Sequence, residues 1–339
     1  MNTLAAEHIS AAPAKPITDR LPVYEERTMA IYHLDGSQPH AFWDNSHPPR
    51  LHIQPGDTVV FEVLEASANQ IQPSSTVEVL NTLSFDPIAP LTGPVYVEGA
   101  QPGDALAVDI ISIEHKGWGW GAIIPGFGLL AEDFTEPYLH HYRIEDEWCW
   151  FSPHVRLPYE PFCGTMGVAP AEPGRLTTLP PRLNGGNLDI RHLTPGARLL
   201  LPVWVPGALF SVGDCHGAQG DGEVNGTAVE MPCTVTLRFD LIKDARLPEL
   251  RFITPPGKKL TNADLGGYYV TTAAGPDLFR NAQQATRYMI EYLNNEHGLT
   301  RAQAYCLCGV AMDLKISQIV DTPNWMVSAY LPLSIFVEL

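Results

Sequence analysis

Along this chain the apolar residues fall in short runs broken by Pro and Gly, and most of them lack the three- and four-residue recurrence of a helix. Three runs begin alike: Pro55-Gly56-Asp57 before V-V-F-E-V-L, Pro102-Gly103-Asp104 before A-L-A-V-D-I-I-S-I, and Pro195-Gly196-Ala197 before R-L-L-L-P-V-W-V. In each, Pro presets one backbone angle, Gly permits a turn, and an apolar or β-branched run follows, the signature of turn then strand. The runs lie far apart and their connections are rich in Gly and Pro, which predicts a mainly β fold, a sandwich or partly closed barrel, in preference to a parallel α/β sheet.

Near the end the period changes. Leu278, Ala282, Ala285, Met289 and Leu293 follow helical spacing, with Asp277 placed to cap the start and Gly298 to end it. Thr300-Arg301-Ala302-Gln303 offers a capping box for a second helix through about Met312. Ile316 to Val320 and Trp325 to Val337 then read as strands that return the chain to the main sheet. This pattern divides the chain into a flexible N-terminal tail (1–20), a β-rich catalytic core (21–260) and a smaller α+β C-terminal part (261–339). Between Gly117 and Gly128, G-W-G-W-G-A-I-I-P-G-F-G alternates glycine with aromatics and resembles a mobile flap more than a packed strand, serving either as a lid or as a loop facing a neighbouring subunit.

Composition narrows the function classes. Only 17% of the residues are charged, against roughly 25% in ordinary soluble domains, which implies much buried surface within the fold or between subunits. The formal charge of −17 repels phosphate backbones and anionic lipids, so neither nucleic acid nor membrane is an expected partner, while a small neutral substrate meets no such barrier and a divalent cation is attracted. The six cysteines form no C-x-x-C pair, which argues for reduced thiols in a cytoplasm. The first twenty residues hold no apolar run long enough for a signal-peptide core, and nowhere do 18 uncharged apolar residues follow one another.

The chemistry concentrates in Ser211 to Pro232, S-V-G-D-C-H-G-A-Q-G-D-G-E-V-N-G-T-A-V-E-M-P, which holds five glycines, four carboxylates and one histidine. If the preceding strand continues, Asp214 and His216 project from one face and a single ion can touch both. Asp221 and Glu223 repeat that spacing beyond a glycine turn. A metal-assisted hydrolase needs about three protein ligands, an open position for water and a carboxylate beside that water. Asp189, 25 residues before Asp214, is the best remote third ligand, within reach of one out-and-back hairpin, and His192 is a weaker substitute. Singly, Asp214 could end a strand and Asp221-Gly222 form an ordinary turn. Their crowding carries the functional reading, because so many carboxylates repel one another unless solvated or neutralised by a cation. An imidazole ligand favours Zn²⁺, whereas oxygen ligands alone suit Ca²⁺ or Mg²⁺. Cys215, between Asp214 and His216, faces the other side of a strand and reads as a small core residue rather than a nucleophile.

The segment G-D-C-H-G-A-Q-G-D-G-E-V-N-G-T-A-V-E resembles the signature of the acetamidase/formamidase family. Trp43-Asp44-Asn45-Ser46, Gly93-Pro94-Val95-Tyr96-Val97-Glu98-Gly99-Ala100, Gly164-Thr165-Met166-Gly167-Val168-Ala169-Pro170 and Gly185-Gly186-Asn187-Leu188-Asp189 resemble further family blocks in order, so that the resemblance covers nearly the whole chain after residue 30. It implies a jelly-roll-like β-sandwich, cytoplasmic homo-oligomers (dimer or higher) and hydrolysis of a short aliphatic amide, of formamide or acetamide type, to carboxylate and ammonia. By matching blocks it implies Asp189, Asp214 and His216 as metal ligands, Glu223 or Asp221 as the proton-handling group, and Asn45, Glu98, Met166 and Gln219 as substrate contacts. One departure is Glu65, where relatives are expected to carry Asp, with a longer arm that would reshape a pocket edge. The competing readings are a hydrolase of a different or bulkier C–N or ester substrate, and a non-catalytic β-protein stabilised by the metal.

Overall fold

The computed structural model describes residues 28–255, 261, 263 and 266–337; the tail expected over 1–20 lies outside them. Strands dominate, as the pattern requires. A six-stranded sheet runs in the order Ile31–Leu34, Thr58–Val63, Cys233–Ile242, Ala105–His115, Arg198–Pro202, Arg251–Ile253. A five-stranded sheet runs Gly185–Asn187, Phe162–Gly167, Phe210–His216, Leu91–Val97, Leu51–Ile53, and a four-stranded one Val155–Pro158, Trp148–Ser152, Tyr138–Glu145, Trp118–Ile123. All three strands that come after a Pro-Gly turn enter the six-stranded sheet, and Gly56, Gly103 and Gly196 share a left-handed φ of 95°, 95° and 93°. The recurring motif is therefore one turn used three times, open at that position to glycine above all other residues.

The six- and five-stranded sheets face each other as a sandwich, and neither closes into a barrel. Val59, Phe61 and Val63 alternate inward from one strand, Val235, Leu237 and Phe239 from its neighbour. Phe61 and Phe239 meet Phe210 of the opposite sheet edge-to-face at 6.3 and 5.0 Å between ring centroids. Phe210–His216 is buried along its whole length, because its sheet is covered on both faces.

Helix α1 (Leu278–His297) begins where Asp277 accepts hydrogen bonds from the backbone N–H groups of Phe279 and Arg280, and ends at Gly298 in the left-handed conformation. Helix α2 (Arg301–Ala311) opens on the Thr300/Gln303 capping box. The next two strands, Asp313–Gln318 and Trp325–Pro332, do not return to the main sheet. Trp325–Pro332 pairs with Asp313–Gln318 on one side and with Tyr268–Gly275, a strand not singled out in the sequence, on the other, in a three-stranded sheet of their own under α1. Ala285, Met289 and Leu293 of α1 belong to the same continuous apolar core as Phe61 and Phe210. Among the described residues, no helix is long and apolar enough to cross a membrane.

The stretch 117–128 also departs from expectation. Trp118–Ile123 is a packed strand of the four-stranded sheet, and the loop begins only after Ile123. The glycines of the strand serve contact: a Cβ on Gly119 or Gly121 would come within 2.8 or 3.0 Å of the carbonyl oxygens of Glu230 and Ala228.

Two half-buried histidines are held neutral. His40 donates through Nδ1 to the Phe42 carbonyl and accepts from Ser211 Oγ, while His140 donates through Nε2 to the Phe151 carbonyl and accepts from Tyr138. Burial pushes both rings down to about 4. A depressed folded pKa contributes stability that is complete above 6.5 and is lost as pH falls through about 4. The stability advantage of wild type over His140→Gln therefore shrinks between pH 7 and 4, by roughly 3 kcal/mol at most. Urea denaturation of both proteins across that range measures the difference, in which the contributions of all other groups cancel; a gap independent of pH would contradict the assignment.

Candidate active site

The central strand Phe210–His216 carries two of the expected ligands. Asp214 and His216 lie on one face, and Cys215 turns to the other, where it is fully buried with its Sγ 3.6 Å from that of Cys163. Asp189 arrives by a different route from the hairpin expected. Its strand, Gly185–Asn187, pairs with Phe162–Gly167, which lies between it and Phe210–His216. The backbone N–H groups of Leu188 and Asp189 both donate to the Gly164 carbonyl, at 2.8 and 3.1 Å, so the Asp189 side chain crosses the intervening strand above Gly164.

Gly164 leaves room for that crossing. A Cβ there would sit 2.7 Å from Asp189 Oδ1, 2.7 Å from the Asp214 carbonyl oxygen and 2.8 Å from His216 Cε1. Two of these neighbours are candidate ligands and the third is backbone, so nothing can yield cheaply. Gly164→Ala is expected to fold yet lose at least about tenfold in turnover at this site through misplaced ligands; steady-state rates of the two proteins decide, and an unchanged kcat would show that the crossing tolerates a methyl group.

Glu223 comes from the glycine-rich loop after His216. That loop is pinned from two sides: Gly220 N–H donates to the Gly309 carbonyl of α2, and the Val224 carbonyl accepts from Leu129 N–H and the Tyr305 hydroxyl. The loop after Trp118–Ile123 thus braces the segment that carries Glu223. Asp189, Asp214 and Glu223 all adopt left-handed backbone, with φ of 49°, 54° and 43°, a conformation uncommon for residues other than glycine and concentrated at functional sites.

A further carboxylate joins them. Glu230, the last acidic residue of the glycine-rich segment, has no role predicted by its sequence position. Its backbone exchanges two hydrogen bonds with Trp120, at 2.8 and 2.9 Å, and it bridges to His216, joining the four- and five-stranded sheets. Its Oε1 accepts from Ala228 N–H at 2.8 Å, and Oε2 turns to His216. The only available signal was its place as the fourth acid of that segment.

Two overlapping groups of donors result, Asp189–His216–Glu223 and Asp214–His216–Glu230, each with ligand atoms within 4.8 Å of one another. Glu230 Oε2 lies 3.2 Å and Asp214 Oδ1 3.6 Å from His216 Nε2, and neither contact is counted as a hydrogen bond. Nε2 of His216, Oε2 of Glu230 and Oδ1 of Asp189 are all buried without a hydrogen-bond partner. Burial, reinforced by the neighbouring acids, raises the Asp189 carboxyl to about 7 and pushes those of Glu223 and Glu230 up. Burial opposes protonation of His216, but the surrounding carboxylates, Glu230 foremost, hold its pKa well above the ordinary value. The site is thus a buried concentration of negative charge with unsatisfied donor atoms.

The other expected residues occupy different places. Asp221 stands outside both donor groups: its N–H donates to Asp313 Oδ1, which also accepts from Arg191, and burial beside Asp313 raises its pKa. Asn45 spends its Nδ2 on the carbonyls of Pro170, Ala171 and Glu172. Glu98 is half-buried and paired with His52 at 3.0 Å. Met166 is fully buried in its strand, opposite Val212 and Gly186. Of the four expected substrate contacts only Gln219 touches the cluster, accepting from His216 Nδ1 and donating to the Asp189 carbonyl, both at 2.9 Å. Glu65 shapes no pocket edge; it is fully buried and accepts from the Trp120 indole and from Ser67.

The model of the acetamidase/formamidase family matches residues 31–175 and 171–338. The chain belongs to this family. The formamidase of Methylophilus methylotrophus is 27% identical over 88% of this chain and 89% of its own length. Among solved structures, a γ-lactamase from Delftia acidovorans superposes with a TM-score of 0.83 at 27% identity, covering 89% of this chain and 90% of that one. An acetamidase from Bacillus halodurans is 34% identical, with a TM-score of 0.64 over 89% of this chain and 97% of that one. The cluster draws on both matched segments: Asp189, Asp214, His216, Glu223 and Glu230 lie in the second, and Gly164 in the first.

Proposed function

We propose that this chain hydrolyses a short aliphatic amide, of formamide or acetamide type, to carboxylate and ammonia at the cluster centred on His216, with a divalent cation held among its donors. Family membership makes it an amidase, a hydrolase of amide C–N bonds. The observation that carries the metal reading is that His216 joins two groups of buried or half-buried carboxylates within 4.8 Å, and that its Nε2, Glu230 Oε2 and Asp189 Oδ1 are buried without a hydrogen-bond partner. Buried polar atoms are rarely left unpaired, and an arrangement of acids around an imidazole nitrogen suits a cation. His216 would hold it with Asp214 and Glu230 of one donor group or with Asp189 of the other, and the imidazole favours Zn²⁺ over Ca²⁺ or Mg²⁺. Bound there, such an ion supplies Lewis acidity, which polarises an amide carbonyl and acidifies water.

The remaining chemistry belongs to the chain. Glu223, on a loop pinned at both ends, accepts a proton from the attacking water and returns it to the departing nitrogen. Burial and the neighbouring acids push its pKa up, and a cation among the same donors would favour the ionised form that accepts a proton. The tight packing around Gly164 holds the carboxylates in place before substrate arrives.

A second reading, a cyclic amide as substrate, draws on the high TM-score to the γ-lactamase. Ring opening of a lactam releases an amino acid and no ammonia, so the two readings separate in one experiment. Ammonia and amino-acid release are measured over formamide, acetamide, longer amides, urea and γ-lactams, with and without a chelator, alongside zinc analysis of the purified protein. Ammonia from the short amides, lost on chelation and restored by zinc, is the expected result. Full turnover in protein free of metal would refute the metal reading.

A further inference from the structure

Gln219 was expected to contact substrate, and in the structure both ends of its amide are turned to the residues of the cluster. The residue is 4% exposed, and both ends of its amide are engaged. The partners determine how. A backbone carbonyl only accepts, so the group 2.9 Å from the Asp189 oxygen must be the Gln219 NH₂. The Gln219 oxygen therefore faces His216 Nδ1, also at 2.9 Å, and because that oxygen only accepts, Nδ1 must carry a proton. The other ring nitrogen, Nε2, is the unpartnered atom turned toward Glu230 and Asp214.

We propose that Gln219 is a positioning residue that holds a proton on Nδ1 of His216, leaving Nε2 as the nitrogen that a cation in the carboxylate cluster would take, and with its other end clips the Asp189 loop to the same imidazole. One side chain thereby orients two donors that lie 27 residues apart in the chain. The backbone on either side of Gln219 is itself anchored, since Gly217 and Ala218 exchange hydrogen bonds with Val229, and Gly220 N–H donates to the Gly309 carbonyl. A polar partner on the far nitrogen of a ligating histidine sets its tautomer and orientation, and loss of such a partner commonly costs 10–100-fold in metal affinity or activity. The proposal rests on His216 and Asp189 acting as ligands, and it assigns Gln219 no contact with the amide.

Three measurements on the full-length protein test it. Zinc affinity is read by competition with a chromophoric chelator. The Nδ1-bound proton of His216 is read on metal-free protein as a one-bond ¹⁵N–¹H correlation slow to exchange with solvent, assigned by its absence from His216→Ala. Steady-state kinetics are read on an amide that wild type turns over. Gln219→Leu is expected to lose about 10–100-fold in zinc affinity, to lose the protected Nδ1 proton, and to lower kcat while KM moves less than about twofold. Gln219→Glu, which can still accept from Nδ1 but opposes the Asp189 carbonyl, should restore the protected proton and only part of the zinc affinity. A raised KM with kcat and zinc affinity unchanged would make Gln219 a substrate contact and overturn the proposal, as would wild-type protein without an Nδ1 proton. Absence of zinc binding in wild type would instead remove the metal reading, leaving the Nδ1 signal to decide the Gln219–His216 assignment alone.

Discussion

His216→Ala is expected to fold, to purify without zinc, and to lose amide turnover by about 10³-fold or more, a larger loss than removal of a single preorganised donor commonly causes. The size follows from its position. His216 belongs to both donor groups and contributes the nitrogen atom of each. Without it Asp189, Asp214, Glu223 and Glu230 face one another with no imidazole between them, and like charges so close are driven to protonate instead of binding a cation. The backbone of the strand is unaffected, since its pairing with Phe162–Gly167 runs through main-chain groups. Metal analysis, circular dichroism and ammonia release measure the three parts of the prediction. A variant that keeps one zinc per chain and its full rate would overturn the assignment of His216.

Glu223→Gln separates base from ligand. The carboxamide is nearly isosteric but cannot accept the proton, so turnover should fall by about 10²–10⁴-fold, the usual worth of a positioned acid–base group, while zinc content stays at the wild-type level. The geometry makes the test a sharp one, because Glu223 also lies within 4.8 Å of Asp189 and His216 donor atoms and could ligate. If zinc leaves with the carboxylate, Glu223 is a ligand and another group handles the proton. Asp221 is poorly placed to be that group, since it packs against the Arg191–Asp313 pair. Asp221→Asn is the companion control, expected to retain most of the rate.

The parts of the fold that are legible in the residues alone are those whose cause is local. The Pro-Gly turns, the Asp277 cap, the Gly298 end and the Thr300/Gln303 box each depend on atoms within one turn of chain, and each appears where its residues stand. The Gly-Trp alternation at 117–121 resembles a flap and is not one, for the opposite reason. Gly119 and Gly121 answer to Glu230 and Ala228, more than a hundred residues away, and nothing local announces that a second backbone will press against them. The returning C-terminal strands went to a sheet of their own, Trp325–Pro332 pairing with Tyr268–Gly275 on one side and Asp313–Gln318 on the other, a choice of partners that no local feature of these strands announces.

Sequence by itself determined the kind of chemistry: four acids and an imidazole crowded among glycines on and after one strand, with Asp214 and His216 bound to share a face because strand geometry alternates every residue. Tertiary structure alone decided which groups meet. Glu230 enters because it bridges two sheets, Asp189 because an intervening strand has no side chain at Gly164, and Asn45, Glu98 and Asp221 are drawn to other partners. Alternation along a strand is a property of neighbouring residues, whereas convergence depends on which strands pair and in what register, and that is set by the packing of the whole core.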